Sequence, residues 1–179
     1  MKRYRARTFR VETDIDEAIE RIAKEERLSH SQVVNKALRK FVEWDSAQST
    51  RGLVSVPSLL LVRLMNDKTE EKAREIGRWA GKELFLPNLL AGNATASVES
   101  SERLMKNLGA YGGRFTFEHI VKDRKHIMVI GQKMGRNWSA YYAGALEAIF
   151  EKLLGKVLRE TISDNMCVIE FESLAPRST

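Results

Sequence analysis

Residues 5–44 read RARTFRVETDIDEAIERIAKEERLSHSQVVNKALRKFVEW, and the spacing of apolar residues changes along them. In residues 5–11, Phe9 and Val11 share one parity while Thr8 and Arg10 share the other, which predicts a short strand that buries Phe9 and Val11. Farther on, apolar residues recur every three or four positions, as on one face of a helix. The two stripes comprise Ile15, Ala18, Ile19, Ile22 and Ala23, then Val33, Val34, Ala37, Leu38, Phe41 and Val42.

The starts of both helices carry capping residues. Asp14 followed by Glu17 predicts a capping box at the first helix, and Ser29 is the expected N-cap of the second. One strand and two short helices bury too little surface to close a core, and a lone strand leaves two unpaired edges. Pairing with the same strand of a second copy removes both problems, so we expect an obligate dimer.

Residues 5–44 resemble a ribbon-helix-helix DNA-binding domain of the Arc, MetJ and CopG type. The resemblance is carried by the alternating residues 7–11, the Ile15/Ile19/Ile22 stripe, and Leu28-Ser29-His30-Ser31 before Val33-Val34. It implies that two strands pair into an antiparallel ribbon that enters the major groove. The family often has glycine where Arg27 stands, so the first helix is expected to end without a left-handed cap residue.

The same resemblance implies two classes of DNA contact. Base edges would be contacted by Ala6, Thr8 and Arg10, and Arg10 could bind guanine through two hydrogen bonds. Phosphates would be contacted by the side chains of Arg3, Arg5 and Arg7 and by backbone N–H groups at Ser29, His30 and Ser31.

Positive charge is concentrated at the N-terminus. The chain has 30 Lys and Arg against 24 Asp and Glu, a net charge of +6. Five of these positive charges, and no acid, lie in residues 1–10: Lys2, Arg3, Arg5, Arg7 and Arg10. Taken alone, such an arm fits either nucleic-acid binding or a solvated tail.

Other sequence features favour a cytoplasmic protein without membrane segments. The longest apolar stretch, residues 53–65, is interrupted by Pro57 and Arg63 and is too short to span a bilayer. The basic start lacks the apolar segment of a secretory signal. A single cysteine, Cys167, forms no internal disulfide, which fits a reducing compartment.

The remaining pattern predicts an α+β protein with a dimeric N-terminal ribbon-helix-helix and a larger second domain. We divide the chain into residues 1–45, a polar linker at 46–52, an α+β sensing or assembly domain at 53–173, and a tail at 174–179. The order of elements in the second domain is helices, hairpin, helix, hairpin, which predicts an antiparallel sheet backed by helices.

Within that domain, residues 57–65 fit either a helix or a strand. A helix is predicted from residue 70 to the residues before Pro87, followed by a loop at 86–96. Two further helices are predicted, one that begins at residue 97 and is ended by Gly109, and one from 136 to 154. Strands are predicted at 114–121, 126–131, 157–162 and 166–171.

The C-terminal third resembles, over about 35 residues, the 4-vinyl-reductase-like domain, which is similar to the vesicle-tethering Bet3 fold. Residues 135–139, residues 146–155 and the terminal hairpin carry this resemblance, which implies a small-molecule sensor attached to a regulator. The paired cysteines often found near that family's C-terminus are not here, since only Cys167 lies in that region.

No residue set in the sequence points to catalysis, a metal or a cofactor. His119, His126 and Cys167 fall on predicted strands without the spacing of a zinc site, and a structural role is favoured. Glu99 and Glu102, like Glu70 and Glu71, are interpreted as surface carboxylates on helices. The aromatic residues Trp138, Tyr141 and Tyr142 are either core or the lining of an apolar ligand pocket.

These patterns predict a transcriptional regulator, in particular a repressor, that binds double-stranded DNA as a homodimer or homotetramer and responds to a possible small-molecule effector. Three alternatives stay open. They are an antitoxin whose second part wraps a toxin, an architectural protein indifferent to DNA sequence, and an enzyme tethered to DNA.

Overall fold

A computed structural model describes residues 5–47, 54–87, 97–155 and 157–172. The chain forms two compact units, Met1–Thr50 and Arg51–Thr179. Most of the predicted linker (residues 48–52) and the predicted tail (residues 174–179) lie outside the described residues.

In the first unit the described residues form helices α1 (Thr13–Glu26) and α2 (His30–Glu43), followed by a 3-10 turn at Asp45–Ala47. Ser29 is the N-cap of α2, as predicted: its Oγ accepts from the Gln32 N–H at 3.3 Å, and the Gln32 Oε1 accepts from the Ser29 N–H at 2.7 Å. The predicted cap at Asp14 is wrong. Glu12 is the N-cap of α1, because its carbonyl oxygen already accepts from the Asp16 N–H at 3.0 Å.

The end of α1 also differs from expectation, because Arg27 itself adopts the left-handed conformation with φ 55°. In this geometry the Leu28 N–H donates to the carbonyl of Ala23 at 2.9 Å, closing the helix end. A left-handed cap is therefore present without glycine, and the backbone strain is carried by an arginine.

Residues 5–12 belong to no helix or strand in the single chain. Phe9 and Val11, which the alternation predicted to be buried, are 57% and 37% exposed. A strand acquires its ladder of hydrogen bonds and its buried face only from a neighbouring strand, and none of the described residues pairs with this segment. The predicted ribbon strand therefore remains a prediction for a dimer.

The second unit contains four described α-helices. They are α3 (Ser58–Asn66), α4 (Glu70–Ala80), α5 (Val98–Gly112) and α6 (Arg136–Leu154), and a π-helical turn (Gly81–Phe85) continues α4. Residues 57–65, which fitted helix or strand, are helical after the N-cap Pro57. Leu86 and Pro87 of the predicted loop are still helical, and residues 88–96 lie outside the described part of the chain.

The predicted end of α5 at Gly109 is wrong. The helix runs on to Gly112 and ends at Gly113, which has φ 66°. At Gly109 an added Cβ would lie 2.7 Å from the Phe115 carbonyl oxygen, so the absent side chain permits a close backbone approach instead of ending the helix.

The strands of the described ranges form one antiparallel sheet in the order β1-β2-β4-β3, with β1 at Phe115–Lys122, β2 at Lys125–Gln132, β3 at Val157–Ile162 and β4 at Met166–Glu172. Both predicted hairpins are confirmed, as is the mixed α+β class with an antiparallel sheet. Gln132 joins the sheet to the start of α6: its Nε2 donates to the Ser139 Oγ and to the Asp164 carbonyl, both at 2.8 Å.

The core of this unit lies between the sheet and α6. From the sheet it includes Met128, Ile130, Cys167, Ile169 and Phe171, and from α6 it includes Leu146, Ile149 and Phe150. On its other side α6 crosses α4 at very short range, because a Cβ at Gly77 would lie 1.9 Å from the Tyr141 carbonyl oxygen. None of the helices in the described ranges combines the length and apolarity that a bilayer span requires.

Candidate functional site

The residues predicted to contact bases lie together in the segment before α1. Ala6, Thr8 and Arg10 are all exposed, and so are the predicted phosphate-contacting residues Arg5 and Arg7. Arg3 lies outside the described residues. Between residues 5 and 11 the chain therefore presents three guanidinium groups to solvent.

The start of α2 carries the other predicted phosphate contacts, at Ser29, His30 and Ser31. Here the capping box already uses the Ser29 N–H, which donates to Gln32 at 2.7 Å. The His30 ring Nε2 lies 3.0 Å from the Asp16 carboxylate on α1. A phosphate at this helix start would meet the backbone of His30 and Ser31 but would also face the charge of Asp16.

A groove of about 560 Å³ lies beside this helix start, between α1 and α2. It is lined by Asp16, Glu20, Ala23, Lys24, Leu28 and His30. Two carboxylates against one ammonium make this groove unfavourable for phosphate. The arm is therefore the more suitable surface of the first unit for a polyanion.

The first unit also exposes most of its large apolar side chains. Among its described residues only Val33 and Trp44 are buried. The exposed apolar residues are Phe9, Val11, Ile15, Ile22, Leu38, Phe41 and Val42. The second predicted helical stripe is thus mostly exposed in the single chain, and Ile15 and Ile22 of the first stripe are exposed as well.

The predicted aromatic cluster in the second unit is a set of packed rings on α6. The ring centroids of Trp138 and Tyr141 are 5.0 Å apart, and those of Tyr141 and Tyr142 are 5.3 Å apart. Burial raises the pKa of Tyr141 to about 12 and moves the pKa of Tyr142 in the same direction. The two cavities described here have other linings, so the aromatic ligand pocket remains a prediction.

The second cavity, of about 430 Å³, lies on the helix-covered face of the sheet. Its lining comes from α5, the β1–β2 hairpin and the C-terminal end of α6: Val98, Glu99, Glu102, His119, Val121, His126, Leu153 and Leu154. Its polar wall is a hydrogen-bonded chain. The Glu102 Oε2 lies 2.9 Å from the His119 Nδ1, and the His119 Nε2 lies 2.9 Å from the His126 Nδ1.

The protonation of this chain follows from its contacts. Hydrogen bonds from His119 and Lys106 lower the pKa of Glu102. Hydrogen bonds from the Glu99 backbone and the Ser97 side chain lower the pKa of Glu99. Burial, together with the nearby charge of His119, lowers the pKa of His126. The wall thus carries two ionised carboxylates and, at neutral pH, a neutral His126.

The sequence pattern does not predict this cavity, and the interpretation of Glu102 as a surface carboxylate is wrong. Glu102 is a half-buried partner of His119, with only a quarter of its side chain exposed, and is not a surface carboxylate. The signal was available, because the turn at 122–125 places Val121 opposite His126 and so puts His119 and His126 on one face. What the pattern could not provide was the docking of α5 against that face.

Cys167, the third residue considered with the histidines, lies elsewhere in the sheet. It pairs with Ile130 in the β2–β4 register and is completely buried, and it does not line the cavity. Within the described ranges no three His, Cys, Asp or Glu side chains are grouped as a metal site requires.

Three comparisons with known proteins bear on identity, and none gives a relative. No family model, no curated protein and no solved structure matches this chain.

Proposed function

We propose that the protein is a sequence-specific DNA-binding transcriptional regulator that acts as a homodimer through a ribbon-helix-helix unit at residues 5–44. The observation that carries this proposal is the combination, in one short unit, of an exposed arginine-rich arm and an apolar surface that the single chain leaves uncovered. Each feature has a natural partner, DNA for the first and a second copy for the second.

The need for a partner follows from the size of the buried core. A unit whose described residues bury only Val33 and Trp44 gains little hydrophobic free energy from folding alone. Burying one exposed Phe or Leu contributes about 1.5–3 kcal/mol, so covering several of them in a dimer supplies a substantial stabilisation. Pairing two copies of residues 5–11 also provides the missing ladder of strand hydrogen bonds.

The DNA contacts follow from the alternation of the arm. When Phe9 and Val11 turn toward the helices, Thr8 and Arg10 turn to the opposite face, together with Ala6. An antiparallel pair of such strands fits the major groove, where an arginine reads guanine through two hydrogen bonds. Arg5 and Arg7 add phosphate contacts that weaken with salt.

Regulation requires no chemistry in this proposal. A dimer that occupies a promoter excludes polymerase, which favours repression as its mode. Two dimers on neighbouring half-sites would form a tetramer, with the second unit supplying the added contacts or sensing an effector.

The test compares three single variants of the full chain on a duplex selected by the wild-type protein. Arg10→Ala should relax preference at one base position, with a loss of about 1–3 kcal/mol on the preferred base. Arg7→Ala should weaken binding to all sequences alike and reduce the salt dependence. Arg63→Ala is the matched control, because Arg63 is an exposed arginine on α3 in the other unit.

Fluorescence anisotropy at two salt concentrations measures all of these effects. Equal affinities for the selected and scrambled duplexes would favour an architectural protein over a specific regulator. The absence of any binding to DNA would contradict the proposal. Limited proteolysis separates the antitoxin alternative, since a toxin-wrapping tail is degraded at once whereas a folded second domain persists.

A further inference from the structure

The sheet of the second unit has one face that is turned away from α5 and α6. On its other face the sheet packs against these two helices, where Phe117, Ile130 and Ile169 are buried. Side chains alternate along a strand, so the residues of opposite parity belong to the face turned away, which we call the open face. Its apolar members are Ile120, Ile127, Val129, Met166 and Val168. Ile120 is 48% exposed and Met166 is 38% exposed, so the described residues leave an apolar patch in contact with solvent.

The strand register fixes the arrangement of this patch. Residues that stand side by side on β2 and β4 form rows across the middle of the open face. Three of these rows pair Lys125 with Glu172, Val129 with Val168, and Gly131 with Met166. Each row therefore joins two residues that suit each other: a cation and an anion, two aliphatic side chains, or a long side chain and a glycine.

A two-fold axis that runs along the strands between β2 and β4 exchanges the two residues of each row. A second copy related by this axis places every member of a row over its counterpart: Glu172 over Lys125, Val168 over Val129, and Met166 over Gly131. The strands of the two stacked sheets then run within about 30° of each other, which is the usual aligned packing of sheets. In the row between the charges and the valines, Ile127 lies opposite Glu170, whose neighbour in the β3–β4 register is Arg159.

The two halves of the open face carry opposite charge. On β1 and β2 two lysines stand against one glutamate, and on β3 and β4 two glutamates stand against one arginine: Lys122, Lys125 and Glu118, then Glu170, Glu172 and Arg159. The two-fold axis lays each half over the other, so a second copy of this chain matches the charge of the face.

The residues of the charged row are accessible to a second copy. Lys125 is exposed, and Glu172 keeps about half of its side chain exposed although the Arg124 guanidinium of its own chain lies 4.0 Å from its Oε1. Four strands spaced about 4.8 Å apart make a face roughly 20 Å wide, which suits a weak interface and not an obligate one.

We propose that the open face of the sheet pairs with the open face of a second copy of this chain, around a two-fold axis that runs along β2 and β4. Val129 and Val168 form the apolar centre of this interface, and Lys125 of each copy pairs with Glu172 of the other. The inference goes beyond the proposed function, because it depends neither on DNA binding nor on pairing of the first units.

The test measures how readily two full chains are joined through a cysteine on the open face. The chains carry Val129→Cys, next to the two-fold axis, and a short bismaleimide links the cysteines of two copies. Cys167 is completely buried and does not compete. Glu71→Cys is the matched control, because Glu71 is exposed on α4. On denaturing gels we expect Val129→Cys to give about fivefold more covalent dimer than the control.

Two charge reversals in the Val129→Cys chain then test which residues face each other. Lys125→Glu sets two glutamates opposite each other, and Glu172→Lys sets two lysines opposite each other. Each variant alone should lower the yield about threefold or more at low salt. When the two variants are co-expressed, the introduced charges face each other, and Glu172 of the first variant faces Lys125 of the second. The yield should therefore recover in the mixed dimer, which a short tag on one variant identifies.

Recovery in the mixture distinguishes pairing between copies from effects within a chain. Lys125 and Glu172 are also neighbours in one sheet, and each reversal disturbs that contact in its own chain whether or not the other variant is present. Equal yields from Val129→Cys and Glu71→Cys, yields that neither reversal changes, or no recovery in the mixed dimer would each overturn the proposal. DNA plays no part in this measurement, so its failure is separate from a failure of the proposed function.

Discussion

Arg27 is a residue whose backbone conformation suits a different amino acid. Its φ of 55° lies in the left-handed region, where a Cβ costs about 1–2 kcal/mol and glycine avoids that cost. We therefore predict that Arg27→Gly stabilises the α1–α2 unit by about 0.5–1 kcal/mol, net of the greater backbone entropy that glycine loses on folding.

Amide hydrogen exchange of α1 in the full chain measures this effect, and the amides should exchange more slowly in the variant. Asp123→Gly is the matched control, since Asp123 has φ 56° in the β1–β2 turn of the second unit. Its effect should be confined to the hairpin. Faster exchange of α1 in Arg27→Gly would mean that the arginine side chain contributes more than its backbone costs.

Cys167 shows what burial does to a single titratable group. It is fully buried, and burial raises the pKa of its thiol to about 12. We predict that iodoacetamide fails to label the folded protein at about pH 8 and labels it readily in urea. Because the unfolded thiol loses its proton at lower pH than the folded one, Cys167 makes unfolding more favourable as pH rises above about 9.

Intact mass measured over time follows the labelling. Cys167→Ser reports any labelling at other residues. Labelling of the native protein at the rate of the unfolded chain would contradict the burial of this strand.

At the scale of elements, the crossing of α4 and α6 depends on two glycines. A Cβ at Gly77 would lie 1.9 Å from the Tyr141 carbonyl oxygen, and one at Gly144 would lie 2.2 Å from the Arg74 carbonyl oxygen. Close to this crossing, Arg74 donates to Glu147 at 2.7 Å and to Glu160 at 2.7 Å, which ties α4 to α6 and β3. Backbone atoms cannot move aside without separating the helices and these ion pairs.

Gly77→Ala should therefore destabilise the second unit by about 3 kcal/mol. Gly112→Ala is the matched control, because an added Cβ there meets nothing within 4 Å and removes backbone freedom from the unfolded chain. We expect the free energy of unfolding of the Gly112→Ala variant to be unchanged or raised by up to about 1 kcal/mol. Urea unfolding curves of both variants give the comparison, and equal stabilities would contradict the close crossing.

The sequence predicts those elements whose signals are local. The Ser29 cap, the hairpin turn at 163–165 and the helix between Gly135 and Gly155 follow from capping and turn residues. The predicted helix end at Gly109 is wrong, because in the sequence a glycine required for close packing looks the same as one that ends a helix. The Glu102–His119 contact joins residues 17 apart on different elements, so no local pattern contains it.

At the scale of the whole molecule, dimerisation is the property on which the proposed function depends. Phe41 on α2 is 58% exposed, and a glutamate there would place a charge in the proposed interface. We predict that Phe41→Glu raises the dimer dissociation constant about a hundredfold and abolishes specific DNA binding with it.

Sedimentation velocity over a range of concentrations measures the change in assembly. Lys24→Glu is the control for added negative charge, because Lys24 is a highly exposed residue on the polar face of α1. A Phe41→Glu variant that dimerises like the wild type would place the interface elsewhere.

Recognition of a DNA sequence by this chain is a proposal, and the decisive test is to select the DNA fragments that the protein binds. Purified full-length protein is mixed with fragmented host DNA at about physiological salt, and the retained fragments are sequenced. We predict enrichment of one short site as a repeat or palindrome, since two-fold symmetric dimers bind symmetric half-sites. Uniform recovery of the genome, or no recovery at all, would contradict it.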